Sequence, residues 1–162
     1  MEIWDLYKKD GSPAGVDLVR GETMPEGLYH IVSGVAVRHR DGSYLLMQRD
    51  WNKAGFPGMW ELGASGSILK GESPLQGAFR ELKEETGITA TELELIFVVR
   101  DNVTFYHNYL CVIDCPKDSV TLQEGETIAY RWVSREDFLR FMEGDEIVPT
   151  QKERWAPYQN KI

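Results

Sequence analysis

No uninterrupted apolar run in this chain exceeds five residues, at Leu95–Val99 and Tyr109–Ile113. A membrane-spanning helix needs about 20, so no membrane partner is expected. The opening Met1-Glu2-Ile3-Trp4-Asp5 lacks the basic and apolar stretches of a secretory signal, which makes a cytoplasmic location the expectation. Only two cysteines occur, Cys111 and Cys115. On one strand they would share a face about 13 Å apart, too far for a disulfide. No histidine or second cysteine pair completes a zinc spacing, so both read as core thiols. A basic excess is missing too: 18 Lys and Arg face 26 Asp and Glu, for a net charge of −8. That argues against a nucleic-acid polymer gripped by a broad basic face. An anionic small molecule still fits, provided a divalent cation bridges it to the protein.

What is present suits one globular domain. The 162 residues are 42% apolar and 27% charged, with no repeat, low-complexity tract or dividing linker. Short alternating stretches at Ile3–Tyr7 and Val16–Arg20 flank Asp10-Gly11, a hairpin signal. Residues 1–28 therefore read as N-terminal strands packed on a main domain of residues 29–158. Strands are expected at Tyr29–Arg38, Tyr44–Gln48, Met59–Leu62, Glu92–Arg100, Thr104–Ile113 and Ala129–Val133, with a Gly/Pro loop at Asn52–Gly58. Ser134 caps a helix over Arg135–Met142, and residues 149–158 form a last one capped by Thr150. Strands, helix, strands, helix in that order favours α+β with a mixed sheet.

The clearest helix covers residues 73–87. Ser73 is an N-cap, Pro74 suits the first position, Gln76 completes a capping box, and Gly87 stands where a left-handed C-cap belongs. Leu75, Ala78, Phe79 and Leu82 follow the spacing of a core-facing stripe. Glu81, Glu84 and Glu85 project within roughly 100° of one another, centred on a different side from that stripe. Like charges at i, i+4 near a helix C-terminus lower local stability unless a cation compensates. Composition alone allows a solvated Glu-rich face; the alternative is a set of hard oxygen ligands for Mg²⁺ or Mn²⁺.

The residues upstream decide between them. Gly66–Ile88 fits G-x5-E-x7-R-E-u-x-E-E-x-G-u, where u is apolar aliphatic, through Gly66, Glu72, Arg80, Glu81, Leu82, Glu84, Glu85, Gly87 and Ile88. This pattern resembles the Nudix box, the signature of the Nudix hydrolases. The resemblance implies an α/β/α sandwich around a mixed sheet, with the box as loop–helix–loop. It further implies a pyrophosphohydrolase that cleaves a nucleoside diphosphate derivative, its divalent cations (Mg²⁺ or Mn²⁺) held by Glu81, Glu84, Glu85 and the Gly66 carbonyl. Glu84 would serve as ligand or water-activating base. Arg80 would fix a neighbouring carboxylate or simply pair with Glu84. Glu72, at the loop–helix junction, would organise the loop or act as base.

Arg49 ends a strand near the box and reads as a phosphate contact or a surface arginine. Glu124 and Glu126 lie in a loop where the family often places an extra ligand or base. Trp51, Phe56 and Trp60 could stack on a base, with core packing favoured for Trp60. His30 reads as structural. Glu2–Tyr7, Tyr29-His30 and Lys53–Trp60 are also similar to the branch related to isopentenyl-diphosphate isomerase. Its catalytic Cys and metal-binding His would fall at Ser65 and Ser67, and serine replaces neither. Hydrolysis is therefore expected ahead of isomerisation or of a non-catalytic ligand sensor. The substrate and the oligomeric state, including a homodimer, stay open.

Overall fold

A computed structural model describes residues 1–162. A two-stranded hairpin, β1 (Ile3–Tyr7) and β2 (Pro13–Val19), comes first. The remaining strands make one mixed sheet: β3 (His30–His39), β4 (Tyr44–Arg49), β5 (Trp60–Leu62), β6 (Ala64–Ser67), β7 (Glu94–Arg100), β8 (Thr104–Ile113) and β9 (Thr127–Val133). Strands β3 and β8 run parallel, from His30 beside Thr104 to His39 beside Ile113; the other strand pairings are antiparallel. Helix α1 (Pro74–Thr86) covers one face, while α2 (Arg135–Glu143) and α3 (Pro149–Trp155) cover the other. The architecture is α+β with a mixed sheet, as the order of elements predicts, in the three-layer sandwich that the resemblance implies. No helix is long and apolar enough to cross a membrane.

Alternation along the central strands builds two cores. Ala36, Tyr44, Leu46 and Leu110 face α2 and α3, where they meet Phe138, Phe141 and Trp155. Their neighbours Val35, Val37, Leu45, Met47, Tyr109 and Cys111 face α1 and meet Ala78 and Leu82. With both faces covered, these strands read as near-continuous apolar runs rather than as half-polar ones. Both cysteines are free, with Cys111 buried in the α1 layer.

Three features depart from expectation. Residues 64–67 form a strand, although Ala-Ser-Gly-Ser has little strand propensity. Pairing with β3 holds them there, because β5 pairs with β4 and the chain then changes partner at Gly63. Gly63 has φ +50°, and a Cβ on it would lie 2.0 Å from the Val35 carbonyl oxygen, so the crossing demands glycine. Thr150 is not a cap: α3 begins after Val148 with Pro149 in the first position and no side-chain cap. A 3-10 turn over Ala156–Lys161 follows α3.

The third departure concerns α1. Its ends are as predicted, with the Ser73–Gln76 capping box and left-handed Gly87. Its buried side, however, consists of Gly77, Ala78, Leu82, Glu85 and Thr86, while Leu75 is 41% exposed. Relative to the expected stripe the helix is rolled by roughly 50°. Gly77 accounts for the roll: a Cβ there would stand 2.5 Å from Ile68 Cγ2, so this side alone approaches closely. The roll carries Glu85, and with it Glu81, from the edge of the helix to beneath it.

Candidate active site

Carboxylates from three segments surround a cavity of about 240 Å³, whose wall includes Ser65, Gly66, Glu81, Glu84, Glu85 and Glu126. Glu85 is only 5% exposed, and its one hydrogen bond comes from the Ser65 N–H at 3.2 Å. Burial pushes its carboxyl well above the ordinary carboxylate range, and the nearby charges of Glu61 and Glu81 push it further. Burial likewise raises Glu81, against the opposing pull of Arg80. The Glu81 carboxylate rests directly on the Gly66 backbone, where an added Cβ would lie 2.2 Å from it. Gly66 and Glu81, fifteen residues apart in sequence, thus share one wall.

Arg80 is the knot of the loop–helix junction. Its Nε and Nη2 donate to the two Glu72 oxygens at 2.7 and 2.9 Å, and Nη2 also reaches the Ser67 carbonyl at 3.0 Å. Its Nη1 donates to Glu81 at 2.6 Å and to Glu84 at 3.2 Å. Arg80 in turn holds the Glu72 carboxyl below its usual range, and Glu72 also accepts the Leu69 N–H at 2.8 Å. Glu72 is thereby tied into the loop, away from the buried carboxylates. Glu84 is held more loosely, with its side chain 46% exposed at the rim.

Opposite the helix, Arg49 lines the same cavity. Its Nε and Nη2 donate to the Gly55 carbonyl at 3.1 and 2.8 Å, and Nη1 reaches Glu61 at 3.2–3.3 Å. Five N–H donors leave the guanidinium with capacity to spare. Glu126 also borders the cavity, paired with Lys53. Glu61 escapes a reading of the sequence: in Trp60-Glu61-Leu62 it looks like the solvent-facing member of an alternating strand. It pairs with Met47 and so shares the α1 face, where it is buried. The signal was parity with an apolar partner, which only strand register reveals.

The aromatic candidates do not converge here. Trp60 stacks under Arg131, 4.3 Å from ring centroid to guanidinium carbon, as expected of a packed residue. Trp51 is 67% exposed and lies against Gly58. His30 is structural: it stacks on Trp4, contacts Thr104 Oγ1 at 2.8 Å, and lies 3.4 Å from Ser67 Oγ.

The donor set suits a hard divalent cation. It is all oxygen, it carries more buried negative charge than its arginines neutralise, and it surrounds space instead of filling it. No three acidic side chains close on a single point. Such a ring matches cations that take one or two carboxylates and complete their shell with water and substrate oxygens.

The family model for the NUDIX domain matches residues 28–152, the box and the sheet around it included. The chain belongs to the Nudix family. An uncharacterized Nudix hydrolase of Listeria monocytogenes is 31% identical over 153 residues, covering 92% of this chain and 89% of that protein. The CTP pyrophosphohydrolase of Escherichia coli is 36% identical over 106 residues, covering 65% of this chain and 77% of its own length. The crystal structure of DR0079 from Deinococcus radiodurans, 16% identical, matches with a TM-score of 0.79 over 96% of this chain and 98% of its own, which shows the shared fold. Family membership makes this chain a Nudix pyrophosphohydrolase, of a kind that works with divalent cations.

Proposed function

We propose that this Nudix protein hydrolyses the diphosphate linkage of a nucleoside diphosphate derivative with Mg²⁺ or Mn²⁺, in the cytoplasm. The observation that carries the proposal is Glu85, a carboxylate at the wall of a polar cavity with one N–H partner, its pKa raised first by burial and then by neighbouring carboxylates. Leaving such a group uncompensated costs several kcal/mol in a folded protein, so a cation is the natural partner. When bound, the divalent ions supply charge neutralisation of the phosphates and a lowered pKa for attacking water.

The residues then divide the work. Glu81 and Glu85 hold the cations, with Glu84 and the Gly66 carbonyl completing the set. Glu84, exposed and lightly held at the rim, is also placed to take a proton from water. Arg80 clamps Glu72 and the Ser67 carbonyl, fixing the loop against the helix so that the carboxylates keep their spacing. Arg49 meets a phosphate from the opposite wall, its guanidinium already oriented by Gly55 and Glu61.

Isomerisation finds less support. Ser65 and Ser67 stand where that chemistry needs a thiol and an imidazole, and the Ser65 backbone is already engaged by Glu85. A panel of nucleotide sugars, dinucleotides, nucleoside triphosphates and ADP-ribose, assayed with Mg²⁺ or Mn²⁺ for released phosphate or nucleotide, tests the proposal. Turnover of at least one member that stops on chelation is expected. No turnover of any, with binding alone seen by calorimetry, would make the protein a ligand sensor.

A further inference from the structure

The N-terminal hairpin lies outside the residues matched by the family model, yet two of its side chains, Glu2 and Arg20, line the carboxylate cavity. We propose that Arg20 is a substrate-binding residue that contacts a phosphate oxygen of the diphosphate. The inference rests on the hydrolase function proposed above and adds a contact from a segment outside the matched domain.

The hairpin is fixed in place. Leu6 and Leu18 are buried, Trp4 stacks on His30 at 4.7 Å with the rings 19° from parallel, and Tyr7 and Tyr29 exchange backbone hydrogen bonds of 2.8 and 2.9 Å. It also grips the loop that leads into α1: the Lys70 N–H donates to the Ile3 carbonyl at 2.8 Å and the Gly71 N–H to Asp5 Oδ2 at 2.7 Å. The hairpin and the loop that joins β6, with its Gly66, to α1 are therefore positioned together, and Arg20 stands at a set place beside the site. Its backbone N–H donates to the Glu2 carbonyl at 3.0 Å, just beyond the last paired residues of β2.

The guanidinium is held but not used up. Its Nη1 donates to both Glu2 oxygens at 3.0 Å, which orients the group and leaves Nε and Nη2 without a protein acceptor. The side chain is 57% exposed, so those donors are open to a ligand. The other two cations of the cavity are more heavily engaged, Arg49 by Glu61 and Gly55, and Lys53 by Glu126. Arg20 thus offers open planar donors on the hairpin side, the geometry that suits phosphate oxygens.

The test compares wild type, Arg20→Ala, Arg20→Lys and the charge control Lys8→Ala, at the far turn of the hairpin. Steady-state kinetics on whichever diphosphate the wild type hydrolyses are joined by calorimetry with its methylene-bridged analogue and Mg²⁺. Arg20→Ala should raise KM and weaken the analogue about tenfold, with the loss in KM rather than kcat and the melting temperature unmoved. Arg20→Lys should recover part of the affinity, and Lys8→Ala should behave as wild type. If the wild type turns over but Arg20→Ala keeps KM and analogue affinity within twofold, this inference falls and the hydrolase stands. A loss confined to kcat, or matched by a lower melting temperature in both Arg20 variants, also overturns it. A wild type with no turnover on any diphosphate overturns the hydrolase proposal and takes this contact with it.

Discussion

The two layers of the sandwich are built from the same strands and spend their burial differently. Between the sheet and the α2–α3 side, aromatic rings fill the space: Phe138 stacks on Tyr44 at 4.2 Å, and Phe97 packs edge-on to Trp155 at 4.9 Å. Between the sheet and α1, the apolar cluster gives way to the buried carboxylates Glu61 and Glu85. The first layer gains stability from the aromatic rings it buries. The second gives some of that up to keep ionisable oxygens where water is scarce. A small enzyme can carry such a cost when an independent core stabilises the other face of the same sheet.

The sharpest way to break the comparison is to remove the cations. A strong chelator should abolish turnover altogether, and readdition of Mg²⁺ should restore it. The far-UV circular dichroism should stay unchanged throughout, because no core contact depends on the ion. Loss of structure on chelation would show that the cation is a folding element, and the division between the layers would be wrong.

Glu85→Gln separates the two roles within one residue. Turnover should drop at least a hundredfold, since a direct metal contact carries several kcal/mol. The amide retains an acceptor for the Ser65 N–H while removing a repelled charge, so thermal stability without metal should hold or rise. Retention of more than a tenth of the activity would exclude Glu85 as a ligand. Phe138→Ala is the mirror experiment. It empties a fully buried site in the aromatic layer and should cost about 3–5 kcal/mol in denaturant unfolding. KM should stay near wild type at temperatures where the variant is folded. A large KM change would mean that the layers are coupled through the sheet.

Much of this contrast is written into the sequence, and the part that is not has identifiable causes. Helix α1 was legible to its ends because Ser73, Pro74, Gln76 and Gly87 each answer a local backbone requirement. Strand β8 coincides with the expected Thr104–Ile113 because its apolar run is buried on both faces. Strand β6 was hidden because its small residues are extended by their partner and not by propensity. The burial of Glu85 was hidden because helical spacing gives relative angles and not the roll of the helix, which Gly77 and Ile68 set from outside. Glu61 and Arg20 share that cause: a strand pairing buries the first beside Arg49, and docking of the hairpin brings the second to the cavity.

The smallest expected effect lies at His30, where the hairpin meets the main sheet. Burial lowers its pKa below the ordinary 6.5, outweighing the nearby Asp101 charge. A histidine that is harder to protonate folded than unfolded adds stability that is fully present above its unfolded value. That part is lost as pH falls through about 6.5 towards the folded pKa, since the unfolded chain then binds the proton more readily. The His30 contribution to melting temperature should therefore decline between about pH 7.5 and 5.5, against the opposite trend of the raised Glu81 and Glu85 carboxyls, and the difference between wild type and His30→Gln should isolate it. His107 is lowered by burial as well, so a residual slope should survive in that variant and shrink further in the double variant. If His30→Gln leaves the slope untouched, the stacked imidazole is not the group that titrates. The seam between hairpin and sheet would then be held by Trp4, Leu6 and the Tyr7–Tyr29 backbone bonds alone.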